Sequence, residues 1–171
     1  FPYQRNNVFL PKGCTAPFTL ISINQTFYMI GKGLKEKPSI WKFNGHGFDR
    51  VASRAIDAYL SKLDDTVIAS SFSWYYAIKG SFFLGFVVGE RCFVLELATM
   101  KWAERKSTFE EAQVRWRVND IVEAYGQIVV TDNVDGRLGF LEEDTFSEYG
   151  EDIISVFSTQ PFANQDGFQM P

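Results

Sequence analysis

The sequence predicts an all-β chain built as β-propeller-like repeats of four-stranded antiparallel sheets, about three blades, with one short helix. Three observations predict it. Residues 131–151, TDNVDGRLGFLEEDTFSEYGE, read as a strand, a tight turn at Asp135-Gly136, a second strand and an acidic outer segment. Glycine supplies the positive φ that tight turns demand, so Asp-Gly between apolar runs is a hairpin signal. The same layout occurs in two earlier stretches, each with four short runs rich in β-branched and aromatic residues, divided by Gly, Asn, Asp or Lys-Gly. Corresponding turns recur about every 45 to 55 residues, the interval of four-stranded propeller blades. A β-sandwich with regular strand spacing is the alternative, but the whole four-strand order recurs.

Along the chain, residues 1–17 form an irregular connecting segment punctuated by Pro2, Pro11 and Pro17. The blades span residues 18–158. The first, 18–53, runs FTLISI, turn NQ, TFYMIG, a loop, SIWKFNG, turn HG, FDRVAS. A helix follows over 54–63, with Ser53 as N-cap and Ile56, Tyr59, Leu60 and Leu63 on one face. Asp64-Asp65 ends it. The second blade, 72–106, runs FSWYYAI, turn KG, SFFLGFV, a VGER turn, CFVLELA, turn TM, KWAERK. Residues 107–113 are either a helical turn or a long loop. The third blade, 118–158, runs VNDIVEAY, turn GQ, IVVTDNV, turn DGR, LGFLEED, the TFSEYGE segment and DIISVFS. Residues 159–171 form a polar tail, either poorly ordered or an arm reaching a neighbour. The chain begins FPYQRN, without Met, and reads as a piece of a longer protein. Three blades do not close a ring, so the open sheet edges call for further chain or for another molecule.

Composition sets bounds on function. The 171 residues are 46% hydrophobic and 16% aromatic, with seventeen Phe, enough for a core of bulky layers between packed sheets. A net charge of −4 and a pI of about 5.1 argue against a sequence-independent grip on nucleic acid, which needs a basic surface. Cys14 and Cys92 lie in no metal or redox spacing; Cys92 opens an apolar run and reads as a buried thiol, and a disulfide between them has no support. No segment is apolar enough for a membrane span, and no signal peptide is visible.

Chemistry-bearing patterns are sparse. His46 is the only histidine and sits in the Asn44–Gly47 turn, with no second histidine to share a metal. Thr131, Asn133, Asp135, Gly136 and Glu142 fall on positions 1, 3, 5, 6 and 12 of a calcium loop. Thr131 stands where a charged ligand belongs, however, and the flanks are strands, so a hairpin turn explains the same residues. The acid runs Asp64-Asp65, Glu110-Glu111 and Glu142-Glu143-Asp144 read as solvated turns, because adjacent strand residues point to opposite faces and do not pair across a cleft. Arg115-Trp116-Arg117 reads as an edge strand shielded by arginine, or as a stack for a base or sugar. Trp41, Trp74, Trp102 and Trp116 are candidate sugar platforms. No catalytic, cofactor-binding or metal residue is assigned.

With these residues in hand, the chain resembles the tail-hub, or packaged-DNA stabilisation, proteins of short-tailed lambdoid bacteriophages. The resemblance runs through FYMIGKGLKEKPSIWKFNGHGFDRVASRAIDAYL, with Arg50-Val51-Ala52-Ser53 and Ala55-Ile56, and through CFVLELATMKWAERKS, with Trp102 and Arg105. It continues in RWRVNDIVEAYGQIVVTDNVDGRLGFLEEDTFSEYGE, with Arg115, Trp116, Asn119, Gly126, Asp135, Gly136, Arg137, Leu141, Tyr149 and Gly150. The lysine-rich loop 32–38 departs from that pattern, and an N-terminal part is missing. The resemblance implies a structural virion protein of the tail, made in the host cytoplasm and without enzymatic activity. It implies a homo-oligomeric ring that plugs the DNA exit channel, encloses the packaged DNA end without reading its sequence, and joins the portal adaptor to the tail needle and tailspikes. No cofactor is implied. The alternative function is a carbohydrate-binding or glycan-processing propeller, whose tryptophan rings would face solvent beside a carboxylate.

Overall fold

The structure, a computed structural model, describes residues 10–110 and 112–158. The expectations for residues 1–9, for Glu111 and for the tail 159–171 lie outside the described residues. In chain order the elements are β1 (Gly13–Cys14), β2 (Ile21–Ile23), β3 (Thr26–Lys32), β4 (Ser39–Phe43), β5 (Phe48–Arg50), α1 (Arg54–Leu60) and α2 (Asp65–Ala69). They continue with β6 (Phe72–Ile78), β7 (Ser81–Val88), β8 (Arg91–Glu96), β9 (Lys101–Phe109) and β10 (Ala112–Arg115). Last come β11 (Val118–Ala124), β12 (Gln127–Asp132), β13 (Leu138–Phe140), β14 (Ser147–Glu148) and β15 (Glu151–Asp152).

Every strand pairing is antiparallel. A first sheet joins β1 to β5, with β1 and β2 both on β3. A middle sheet runs β10-β9-β8-β7-β6, a third β11-β12-β13, and β14 and β15 form a separate hairpin. The fold is that of antiparallel β-sheets stacked one on the next, as the repeat pattern predicts. The first hairpin of each main sheet closes in the same way. Asn24-Gln25, Lys79-Gly80 and Tyr125-Gly126 all have positive φ at both turn positions, the geometry that suits the twist of the flanking strands.

Two apolar layers hold the stack. One sits between the first and middle sheets and contains Ile23, Tyr28, Ile30, Ile40, Leu84, Phe86, Val88 and Phe93, together with Ile56, Leu60 and Ile68 from the helices. The other sits between the middle and third sheets and contains Trp74, Tyr76, Val87, Cys92, Val94, Trp116, Val118, Ile121 and Val130. β7 therefore buries residues from both of its faces, which is why SFFLGFVV is a continuous apolar run without alternation. Gly85 is required in it, because a Cβ there would fall 2.2 Å from the Trp74 ring.

Helix α1 begins where its cap predicts: the Ile56 amide donates to Ser53 Oγ at 3.3 Å. It closes over the first layer through Ile56 and Leu60, and Tyr59 OH donates to the Val88 carbonyl at 3.1 Å. Two elements differ in extent, β1 pairing with β3 from within the segment read as irregular and α1 ending at Leu60 short of residue 63, and three more differ in kind. Asp64 lies at the N-cap of α2, which buries Ile68, so this acid pair begins a second helix. The described part of 107–113 is neither helix nor loop: β9 extends to Phe109, Glu110 has φ 47°, and β10 from Ala112 pairs back along β9. The segment after Asp152 leaves the third sheet without its expected fourth strand, because β15 pairs with β14 instead.

Candidate functional site

The most organised polar site joins the middle and third sheets at the 131–151 stretch. Arg117 and Asp132 form a bidentate pair, Nε to Oδ1 at 2.8 Å and Nη2 to Oδ2 at 2.5 Å. Their side chains are 3% and 0% exposed. The fork-on-carboxylate geometry satisfies both charges, without which burial would be costly. Local backbone bonds set the arrangement. The Arg117 amide donates to Ser107 Oγ on β9 at 2.9 Å, and the Asn133 amide donates to the Arg117 carbonyl at 2.9 Å. The guanidinium lies against two rings, 5.3 Å from the Phe109 centroid and 4.7 Å from that of Tyr149. Arg137 stacks on Tyr149 at 4.4 Å and pairs with Asp135 at 2.5 Å, and Asp135 also reaches Arg117 at 3.7 Å.

The electrostatics follow from these contacts. The Arg117 hydrogen bonds hold the Asp132 carboxyl well below the usual carboxylate range, and the same bonds raise the Arg117 pKa. Burial pushes the neighbouring Glu148 carboxyl up, against hydrogen bonding from Ser107 that lowers it. Glu148 lines two adjoining spaces. One, of about 140 Å³, lies between the third sheet and the β14–β15 hairpin and is floored by Trp116, Val118 and Val130. The other, a cleft of about 560 Å³, lies between Arg105, Lys106 and Gln113 of the middle sheet and residues 153–156. Thr108 Oγ1, donating to the Asp152 carbonyl at 3.0 Å, ties the hairpin to β9 beside it.

The calcium-loop positions do not converge. Thr131 Oγ1 accepts from the Asp120 amide, Asp135 is held by two arginines, and Glu142 accepts from Thr145. The Asp135-Gly136 turn is longer than a two-residue hairpin: the Asp132 amide donates to the Arg137 carbonyl at 2.9 Å, so residues 133–136 form the loop. Among the described residues no three His, Cys, Asp or Glu side chains cluster as metal ligands. His46 is exposed in an Asx turn whose Asn44 Oδ1 accepts from the His46 and Gly47 amides, both at 3.1 Å. The acids Glu142, Glu143 and Asp144 are solvated, as read from the sequence, with Glu143 paired to Lys79. Asp65 pairs with Lys32 at 3.1 Å.

Arg115 ends the edge strand β10, whereas Trp116 and Arg117 turn inward and are buried. Trp41 and Trp74 are buried as well. Trp102 is half-buried over the first layer, its Nε1 donating to the Val51 carbonyl at 2.7 Å. These four rings pack the sheets and do not form solvent-facing platforms. Arg105 lies 4.7 Å from the Trp116 centroid and contacts Tyr76 OH, which ties the middle sheet to the third. Cys92 is buried, and desolvation pushes its thiol up to about 12; Cys14 is exposed and both are free. The Arg117–Asp132 pair was absent from the sequence reading. Its only signal was an arginine within an aromatic stretch and an Asp ending an apolar strand, which does not specify a partner.

Buried aromatic layers and the charged Arg117–Asp132 clasp join the sheets. The family model described as "Bacteriophage P22 Gp10, beta-propeller" matches residues 1–146. The chain belongs to this family of phage tail-hub, DNA-stabilising proteins, and its fold class is the family's β-propeller. Membership makes it a structural phage protein of the virion, whose partners are those of virion assembly. No curated protein matches the chain. Among the described residues no helix is long and apolar enough to cross a membrane.

Proposed function

We propose that the protein is a tail hub that plugs the DNA exit channel of a short-tailed phage, stabilises the packaged DNA and joins the portal adaptor to the tail needle and tailspikes. The family match over residues 1–146 carries this reading. The architecture supports it: stacked sheets offer rigid faces and loops to several partners and need no catalytic centre. The three repeats at 18–53, 72–106 and 118–158 act as blades, and α1 braces the first against the second. Several copies assemble as a ring around the channel. A net charge of −4 suits a channel that must release DNA, since a basic lining would retain it. The role is structural, in the tail, with no cofactor and no enzymatic step.

The test is complex formation with the adaptor and needle proteins encoded beside it, followed by size-exclusion chromatography with light scattering. A stable complex of defined mass is expected. Failure to bind any neighbouring tail protein would overturn the hub reading.

A further inference from the structure

The middle sheet has an edge without a partner strand, and the chain has a strand-like segment without a sheet. Both border the same cleft. β9 is nine residues long and is paired in two halves. Its first half pairs with β8, from Lys101 opposite Glu96 to Arg105 opposite Cys92. Its second half, from Lys106 to Phe109, pairs with β10. Among the described residues no strand pairs with the other edge of Lys101–Arg105. Backbone groups of a strand point alternately to its two edges, so this open edge has free donors and acceptors. Ala103 and Glu104 on it are exposed. Such an edge is a template for any passing strand.

Residues 153–158, IISVFS, read from the sequence as a strand and are left unpaired. Ile153, Ile154, Val156 and Phe157 are the β-branched and aromatic side chains that suit a pleated sheet. Val156 is 78% and Phe157 90% exposed. The Ile153 amide donates to the Phe146 carbonyl at 3.0 Å, and among the described residues no backbone bond holds 154–158. The start of the segment is fixed, because Thr108 Oγ1 donates to the Asp152 carbonyl at 3.0 Å. From there Ile153, Ile154, Ser155 and Val156 border the cleft of about 560 Å³ that Lys106, Arg105 and Glu104 also line. The segment therefore travels from Thr108 toward Glu104, against the chain direction of β9. Six extended residues cover roughly 20 Å, the stretch of β9 from Thr108 to Trp102.

We propose that residues 153–158 are a strap that closes on β9, adding antiparallel to the open edge at Lys101–Arg105. The structure holds the strap open, anchored at Asp152 and lying along the cleft. Closure gives the open edge its missing partners and removes the template on which two copies could pair. It also turns alternate strap residues to opposite sides, one set of them toward Trp116 and Leu141, which already line the cleft. The inference rests on strand pairing within the chain, not on the hub reading, and it stands or falls without any other tail protein.

Backbone hydrogen exchange, read residue by residue by NMR on the full chain, tests it, with Ser155→Pro and Val156→Pro as variants. Both positions are exposed, so circular dichroism of each variant should match the parent. In the parent, the amides of 101–105 that point away from β8 should exchange at least about tenfold more slowly than in an unstructured chain. Proline cannot donate to a ladder, and adjacent strand residues direct their amides to opposite edges. At least one of the two variants should therefore lose this protection, while the amides that point to β8 stay protected in all three proteins. Unprotected outward amides in the parent would overturn the proposal, as would protection that survives both prolines. Protection that rises with protein concentration would reveal a strand supplied by a second copy and would also overturn it.

Discussion

The middle and third sheets have the same first hairpin and the same register, yet they are stabilised differently. The middle sheet is covered on both sides: Leu84, Phe86 and Val88 enter one apolar layer, while Val87, Cys92 and Val94 enter the other. Among the described residues the third sheet is covered on one side only, and it has a polar clasp at its edge. Arg117 and Asp132 bridge its first two strands, and Ser107 and Phe109 on the middle sheet hold the same arginine. Where a sheet lacks a second apolar layer, a directional, charge-assisted contact takes over the positioning. Apolar layers tolerate small slips between sheets, whereas a bidentate fork fixes one alignment.

The largest effect that would break this comparison is expected in the middle sheet. Phe86→Ala removes a fully buried ring and should cost about 3–5 kcal/mol in urea unfolding, whereas Phe140→Ala on the open side should cost within about 1 kcal/mol. Equal losses would show that the third sheet is as deeply packed as the middle one. Next is Asp132→Asn, which leaves the Arg117 guanidinium buried without its countercharge and should cost on the order of 3 kcal/mol at neutral pH. The sign with pH follows from the lowered Asp132 pKa. The parent holds this contribution above the unfolded-state value of about 3.9 and loses it as pH falls toward the folded value. The variant should therefore have a flatter acid limb. Cys92 sharpens the test, because it lies in the layer that the third sheet covers. Exposed Cys14 should react with a thiol reagent at once in both proteins, and Cys92 only in the variant at denaturant concentrations below global unfolding. If Cys92 reacts only with global unfolding, the clasp does not govern the third sheet separately.

The repeat, the all-β class and the first hairpin of each sheet were legible because turn chemistry and continuous apolar runs are local signals. Ser53 was legible as a cap for the same reason. Residues 107–113 were not, since STFEEAQ is polar and its strand pairing comes from the register Phe109 to Ala112 and Thr108 to Gln113 along an edge. Asp64 was misread because a capping acid and a terminating acid are alike until the chain direction after them is known. The clasp was invisible for another reason: Arg117 and Asp132 are brought together by pairing of β11 with β12, and an arginine can meet any acid on that surface. The Arg115-Trp116-Arg117 stretch was half legible. Its edge position was read from sequence, but the inward turn of Trp116 and Arg117 depends on the Ser107 hydroxyl across the strand.

The smallest expected effect is at Glu148, beside the clasp and opposite to Asp132 in sign. Burial raises its pKa, so the folded state binds a proton more tightly than the unfolded chain does. Stability from this group is fully present below the unfolded pKa of about 4.3 and is lost as pH rises through the folded value. Glu148→Gln removes the penalty for holding a charge in the cleft between the two sheets. It should raise stability at neutral pH by no more than about 0.5 kcal/mol, because the residue is partly solvated and hydrogen bonds offset its desolvation. The gain should vanish near pH 4, where the parent carboxyl is already protonated. Urea unfolding of parent and variant at both pH values separates this from loss of a useful ion pair. A variant less stable at neutral pH and equal to the parent at low pH would mean that Glu148 supports Arg117 as a third anion beside Asp132 and Asp135.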